Sequence, residues 1–176
     1  FSPSDGTNQK IIDAINSANE NVNIATMLLT RSDIAYSIRD AKQNNGANVY
    51  MLTDHENSNS ETVNNILAPA LGHNYIFNTS NIPGTMHNKY MAVDESNPQS
   101  EPLVLTGSHN WSNSANNTND ENTLIIYDPD IANQYYQQFV YLFESNGGIL
   151  EAPTAAPIAV NDTLTTMQEN TLGIPV

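Results

Sequence analysis

From residue 7 to residue 77 the chain alternates segments whose apolar residues recur at helical spacing with short continuous apolar runs, and that order leaves few architectures open. Ile11, Ala14 or Ile15, and Ala18 form a stripe behind the polar start Ser4-Asp5-Gly6-Thr7, which predicts a helix over residues 7–18. The mostly apolar run 23–29 has the length of a buried strand. A second helix follows Thr30 to Asp33, with Ile34, Ile38 and Ala41 as its stripe, and Asn44-Asn45-Gly46 stops it in the manner of a left-handed C-terminal cap. Residues 49–53 read as a strand, 60–71 as a helix with Val63, Ile66 and Leu67 inward, and 75–77 as a short strand. A β–α–β–α–β order of this kind predicts an α/β fold, a mixed β-sheet sandwiched between helices.

The turn Asn81-Ile82-Pro83-Gly84 delivers the chain to Met86-His87-Asn88-Lys89-Tyr90-Met91-Ala92-Val93-Asp94. Side chains alternate across an extended strand, so His87 and Lys89 are expected on one face. There the imidazole offers a nucleophile or proton carrier near neutral pH, and the ammonium a fixed positive charge for the oxygens of a phosphate. The chain then turns through residues 95–100 and returns as the apolar run 102–106, ending at Gly107-Ser108-His109-Asn110. An antiparallel return brings Ser108 and Asn110 beside the His87 end of the hairpin, where a hydroxyl and an amide can donate to phosphate oxygens. Glu121 precedes the next apolar run, 123–127, and is placed to accept a proton from the imidazole's second nitrogen and so fix its tautomer.

These residues resemble the phospholipase D superfamily, whose signature runs H-x-K-x4-D, a spacer, G-S-x-N and often a later N-x-E. His87, Lys89 and Asp94 match the first part, Gly107, Ser108 and Asn110 the second, and Glu121 the last. Twelve residues separate Asp94 from Gly107, about double the usual spacer, which reads as a longer hairpin turn that loops tolerate cheaply. The resemblance implies a phospholipase D-like fold and a metal-independent phosphodiesterase acting through a phosphohistidine, with no cofactor. His87 is then nucleophile or general acid, Lys89 neutralises the phosphoryl oxygens, Ser108 and Asn110 position them, Glu121 orients the imidazole, and Asp94 closes the hairpin as a structural residue. The superfamily's site resembles two such motifs facing each other across a pseudo-twofold axis. This chain carries one, so the expected partner is a second copy in a homodimer or a second repeat of the parent chain.

The substrate is expected to be a phosphodiester, either a phospholipid or a nucleic acid. Only Lys10, Arg31, Arg39, Lys42 and Lys89 oppose nineteen acids, for a formal charge of −14, and such a field repels polyanions. That shortage of cations favours a phospholipid slightly over nucleic acid, which is normally held on a cationic track. A symmetric-dimer endonuclease and an inert half-domain of a larger surface protein are the alternatives. Cysteine is absent, which excludes disulfides and thiolate chemistry. No apolar run approaches the roughly 20 residues of a membrane helix, and the start at Phe1 without a leader reads as a piece of something longer, soluble by itself.

Other polar candidates carry plainer expectations. Asp54-His55-Glu56 reads as loop chemistry rather than a metal site, His73 as a surface or capping residue, His109 as a rim contact at most, and Trp111 as packing. Residues 113–119 are Asn-rich and predict an exposed loop, and Asp128-Pro129-Asp130 caps a last helix over 131–143, whose aromatic stripe Tyr135, Tyr136, Phe139, Tyr141 and Phe143 reads as core and surface packing rather than a base-stacking platform. The compact pattern spans residues 1–148. Residues 149–176 read as a Pro- and Ala-rich linker and the opening of an immunoglobulin- or cadherin-like repeat of the kind strung along secreted bacterial proteins, which points to a secreted or cell-surface parent.

Overall fold

The structure, a computed structural model, describes residues 1–79 and 84–150. The turn at residues 81–83 and the repeat-like tail from residue 151 lie outside the described residues. In chain order the elements are α1 (Thr7–Asn16), β1 (Asn21–Thr26), α2 (Ser32–Gln43), β2 (Asn48–Thr53), α3 (Glu61–Leu71), β3 (Tyr75–Phe77), β4 (Lys89–Val93), β5 (Leu103–Gly107), α4 (Asn113–Asn117), β6 (Thr123–Ile126) and α5 (Pro129–Ser145). The six described strands form one sheet in the order β3-β2-β1-β4-β5-β6. β1, β2 and β3 run parallel, while β4, β5 and β6 each run antiparallel to the strand before them in that order. The fold is therefore the mixed α/β sandwich that the order of apolar patterns predicts.

Alternation along the strands divides the core in two. Val22, Ile24, Val49, Met51, Met91 and Val93 pack with Ile11, Ile15, Ile34, Ile38, Val63 and Leu67 of α1, α2 and α3. Ala25, Tyr50, Leu52 and Tyr90 point the other way, onto Phe139 and Phe143 of α5. Both phenylalanines are fully buried, and each such side chain contributes roughly 1.5–3 kcal/mol of transfer free energy. The last helix alone covers its side of the sheet within the described residues, which explains its aromatic stripe without any base-stacking role for Phe139 and Phe143.

Local chemistry sets the ends of the elements. Ser60 Oγ accepts from Val63 N at 3.3 Å, and Asp128 Oδ1 accepts from Asp130 N and Ile131 N at 2.9 Å, as caps of α3 and α5. Gly46 takes φ 77° behind α2, and Ala47 N reaches back to Ala41 O at 3.0 Å, the left-handed stop that Asn44-Asn45-Gly46 predicts. Two expectations are corrected. β1 stops at Thr26 rather than Leu29, because Leu29 N leaves the ladder for the side chain of Asn59 at 2.7 Å. Residues 113–117 are a short helix rather than a loop, since Ser112 Oγ accepts from Ala115 N at 3.2 Å and Ala115 is buried beneath it. Here capping and one buried methyl outweigh the weak helix propensity of Asn.

Candidate active site

β4 lies beside the central strand β1, and its first residue is Lys89. His87 stands just before the strand rather than in it. The approach is fixed from two sides. Met27 N donates to Asn88 O at 2.7 Å, which carries the β1–β4 pairing past the end of the strands. Asp54, buried at the end of β2, accepts from Met86 N at 2.9 Å and from Asn78 Nδ2 at 3.3 Å, so one carboxylate holds both ends of the segment joining β3 to β4. Asp54 thus does structural work for the site, in keeping with a loop reading of Asp54-His55-Glu56, while His55 and His73 are exposed.

The expected meeting of His87 and Lys89 is present in this geometry. Lys89 Nζ lies 3.3 Å from His87 Nδ1, donates to His87 O at 2.8 Å, and sits 3.9 Å from Met27 Sδ. His87 itself is exposed, whereas Lys89 is only 6% exposed. Burial pulls the ammonium pKa down, and the negative charge of Glu121 opposes that shift. Among the described residues the direct partners of Lys89 are the His87 ring, the His87 carbonyl and the Met27 sulfur, so no contact with a carboxylate quenches its charge. Met27 has no sequence signal as a site residue; it arrives only because β1 neighbours β4.

The antiparallel pairing of Tyr90 with Thr106 brings Ser108 level with Asn88, as the hairpin predicts. Gly107 makes this path possible: a Cβ there would overlap the Asn122 carbonyl, with its carbon at 2.9 Å. Ser108 N donates to Asn122 O at 3.1 Å and to Asn122 Oδ1 at 3.0 Å, and its hydroxyl accepts from Asn122 N at 3.1 Å. That hydroxyl in turn donates to Glu121 Oε2, while Glu121 Oε1 accepts from Asn119 Nδ2 at 3.1 Å. Burial raises the Glu121 pKa, but the bonds from Ser108 and Asn119 and the charges of His109 and Lys89 bring it below the usual range. Glu121 therefore holds Ser108. Among the described residues no hydrogen bond joins it to His87, and the imidazole's side-chain neighbour is Lys89 instead.

Asn110 leaves its Oδ1 buried without a partner. His109 is not a rim contact: it is 3% exposed, and neither ring nitrogen has a side-chain partner. Burial lowers its pKa, against the charge of Glu121. Trp111 is fully buried beside Leu29 and packs, as expected. Asp94 stands at the far end of β4, fully buried at φ 52°, and its carboxylate accepts from Asn19 N at 2.9 Å, Glu20 N at 2.8 Å, Asn21 N at 2.9 Å and Asn19 Nδ2 at 3.3 Å. The carboxylate thus clamps the α1–β1 connection rather than closing the hairpin as expected; on the hairpin side it is the Asp94 carbonyl that accepts, from Asn97 N at 3.0 Å, at the opposite end of β4 from His87 and Lys89.

Residues 11–143 match the family model described as "Cardiolipin synthase, PLD-like domain". A phospholipase D of Rickettsia bellii is 28% identical over 147 residues, which is 84% of this chain and 69% of that protein. The crystal structure of Nuc from Salmonella typhimurium, described as a phospholipase D family member, superposes with a TM-score of 0.70 over 85% of this chain and 95% of that one, at 20% identity. NucT from Helicobacter pylori gives a TM-score of 0.64 at 26% identity, over 80% of this chain and 89% of that one.

Proposed function

Because the chain belongs to the family of phospholipase D-like domains, we propose that it is a metal-independent phosphodiesterase that works through a phosphohistidine on His87. The observation that carries this reading is the exposed imidazole with a buried, unquenched ammonium 3.3 Å from its Nδ1. A phosphodiester's own negative charge repels nucleophiles, and a desolvated cation fixed beside the attacking group offsets that repulsion without reorganising. An imidazole nitrogen forms the bond to phosphorus, the P–O bond to the leaving alcohol breaks, and that oxygen takes a proton from a second histidine. Water then cleaves the P–N bond, with the second histidine as base. Ser108, held by Glu121 and Asn122, and Asn110 position the phosphoryl oxygens.

The second histidine comes from a second copy of the chain across a twofold axis, or from another repeat of a longer parent. His87 serves as nucleophile in one half-site and as acid in the other. A neutral ring that accepts from Lys89 at Nδ1 carries its proton on Nε2; the nucleophile requires the other tautomer, with Nε2 free, and the acid requires the doubly protonated ring, whose Nδ1 no longer accepts from Lys89.

The test is hydrolysis in the presence of a chelator, with short-chain phosphatidylcholine and with single- and double-stranded DNA. His87→Ala is expected to lower turnover by at least about a thousandfold, as loss of a covalent nucleophile does, with an unchanged circular dichroism spectrum. A requirement for Mg²⁺, or turnover surviving in His87→Ala, would refute the mechanism. Silence on every substrate from a folded dimer would favour an inert module. Shortage of cations supports the phospholipid, and the lining of the groove next to His87 supports nucleic acid.

A further inference from the structure

Between the first half of α5 and the His87 end of β4 and β5 runs an open groove of about 570 Å³, within the range of small-molecule sites. Gln134, Tyr135 and Gln138 line it from the helix, and their i, i+1, i+4 spacing puts them on one stripe. Lys89, Tyr90 and Thr106 line it from the strands. In a chain with nineteen acids, no Asp, Glu or aliphatic side chain is among the described residues of this lining.

Resting on the phosphodiesterase reading, we propose that this groove is a subsite for one unpaired nucleobase next to the phosphate at His87, with Tyr135 as stacking face and Gln134 and Gln138 as readers of the base edge. An acyl chain would find no aliphatic wall there. A quaternary ammonium would find no carboxylate, a cation in Lys89, and two tyrosines that meet edge to face with centroids 5.0 Å apart rather than forming a cage. A base is planar and uncharged, and side-chain amides offer it both donors and acceptors. Tyr135 is half-buried, packs edge to face on Tyr90 and lines the groove, so of the aromatic stripe of α5 it is the member placed to meet a base as well as to pack. A base in a duplex is already paired and stacked, so the subsite selects single strands. It also removes the difficulty of the −14 charge: one phosphate meets Lys89 and affinity comes from the base, not from a cationic track.

The test compares two esters that release the same p-nitrophenolate, thymidine 5′-(p-nitrophenyl phosphate) and methyl p-nitrophenyl phosphate. The protein is expected to favour the thymidine ester in kcat/KM by about tenfold or more, the scale of one stacked base. Tyr135→Ala and the double variant Gln134→Leu/Gln138→Leu should each reduce that ratio severalfold. Equal kcat/KM for the two esters, or a preference that survives both variants, overturns the subsite. A binding measurement separates this from failure of the reaction. In His87→Asn, thymidine 5′-monophosphate should shift the NMR side-chain amide signals of Gln134 and Gln138, and phosphocholine should not. Shifts without turnover in the unsubstituted protein would sink the phosphodiesterase and keep the subsite. No shift, or shifts with phosphocholine alone, would sink the subsite.

Discussion

Asp94→Asn separates a structural role from a chemical one at the third position of the signature. Asn is the ordinary residue best tolerated in the left-handed region, so the backbone at φ 52° is not disturbed. What changes is the second oxygen, which accepts from Asn19 N and Asn19 Nδ2 and becomes an amide donor facing donors. Two bonds to a charged acceptor are lost, each worth about 1.5–3 kcal/mol, and the two remaining bonds lose the charge, so the variant is expected to be less stable by about 3–6 kcal/mol. Domain stabilities run to about 5–15 kcal/mol, so this is a large fraction. With a urea m-value of about 2 kcal/mol/M the midpoint should fall by about 2 M with little change in m. Asp94 is roughly 16 Å along the strand from Lys89, so the folded variant should keep its turnover. A midpoint shift below about 0.5 M would refute the clamp, and a stable variant without turnover would put Asp94 in the chemistry.

Two further substitutions probe the fold around the site. Gly107→Ala should cost about 1–3 kcal/mol by overpacking against the Asn122 carbonyl, read as a lowered denaturation midpoint, with reduced turnover because Ser108 moves with it. Glu95 is pushed up to about 7 chiefly by burial, against bonds from its own backbone N–H, from Ser96 and from Asn23, with the charge of Asp94 adding to the rise. Its folded pKa exceeds the unfolded value, so between pH 4.5 and 7 the folded state binds more protons and stability falls as pH rises through that window. Glu95→Gln should flatten the pH dependence of the melting temperature there; an unaltered slope would show that Glu95 is not its source.

What was legible in the sequence was what short stretches dictate. The stripes of α1 to α3, the stop at Gly46 and the cap at Asp128 involve neighbours within a few residues, and each stands where the pattern puts it. The hairpin was legible for the same reason, and with it the level of Ser108 beside Asn88. Features set by distant partners were not. β1 ends early because Asn59 captures Leu29 N, and His87 is aimed by Asp54 and Met27 from other strands. Lys89 is buried because β1 and β4 adjoin. Glu121 looked free to orient an imidazole, since nothing local shows that Ser108 and Asn119 already engage it. The groove is assembled from α5 and two strands whose proximity no single stretch encodes.

The sheet changes habit between β1 and β4. On one side strands run parallel and are joined through helices; on the other they run antiparallel and follow one another through turns and a short helix. The seam pairs Val22 with Val93 and Thr26 with Lys89, residues more than sixty positions apart. Contacts of that separation require closing a long loop before they return any stabilisation. The β4–β5 and β5–β6 ladders close over much shorter stretches, so the two halves are expected to form first and join late. The joining strand carries Lys89 at one end and the Asp94 stitch to the α1–β1 connection just past the other, so the Lys89 ammonium reaches its place beside His87 only when the halves meet.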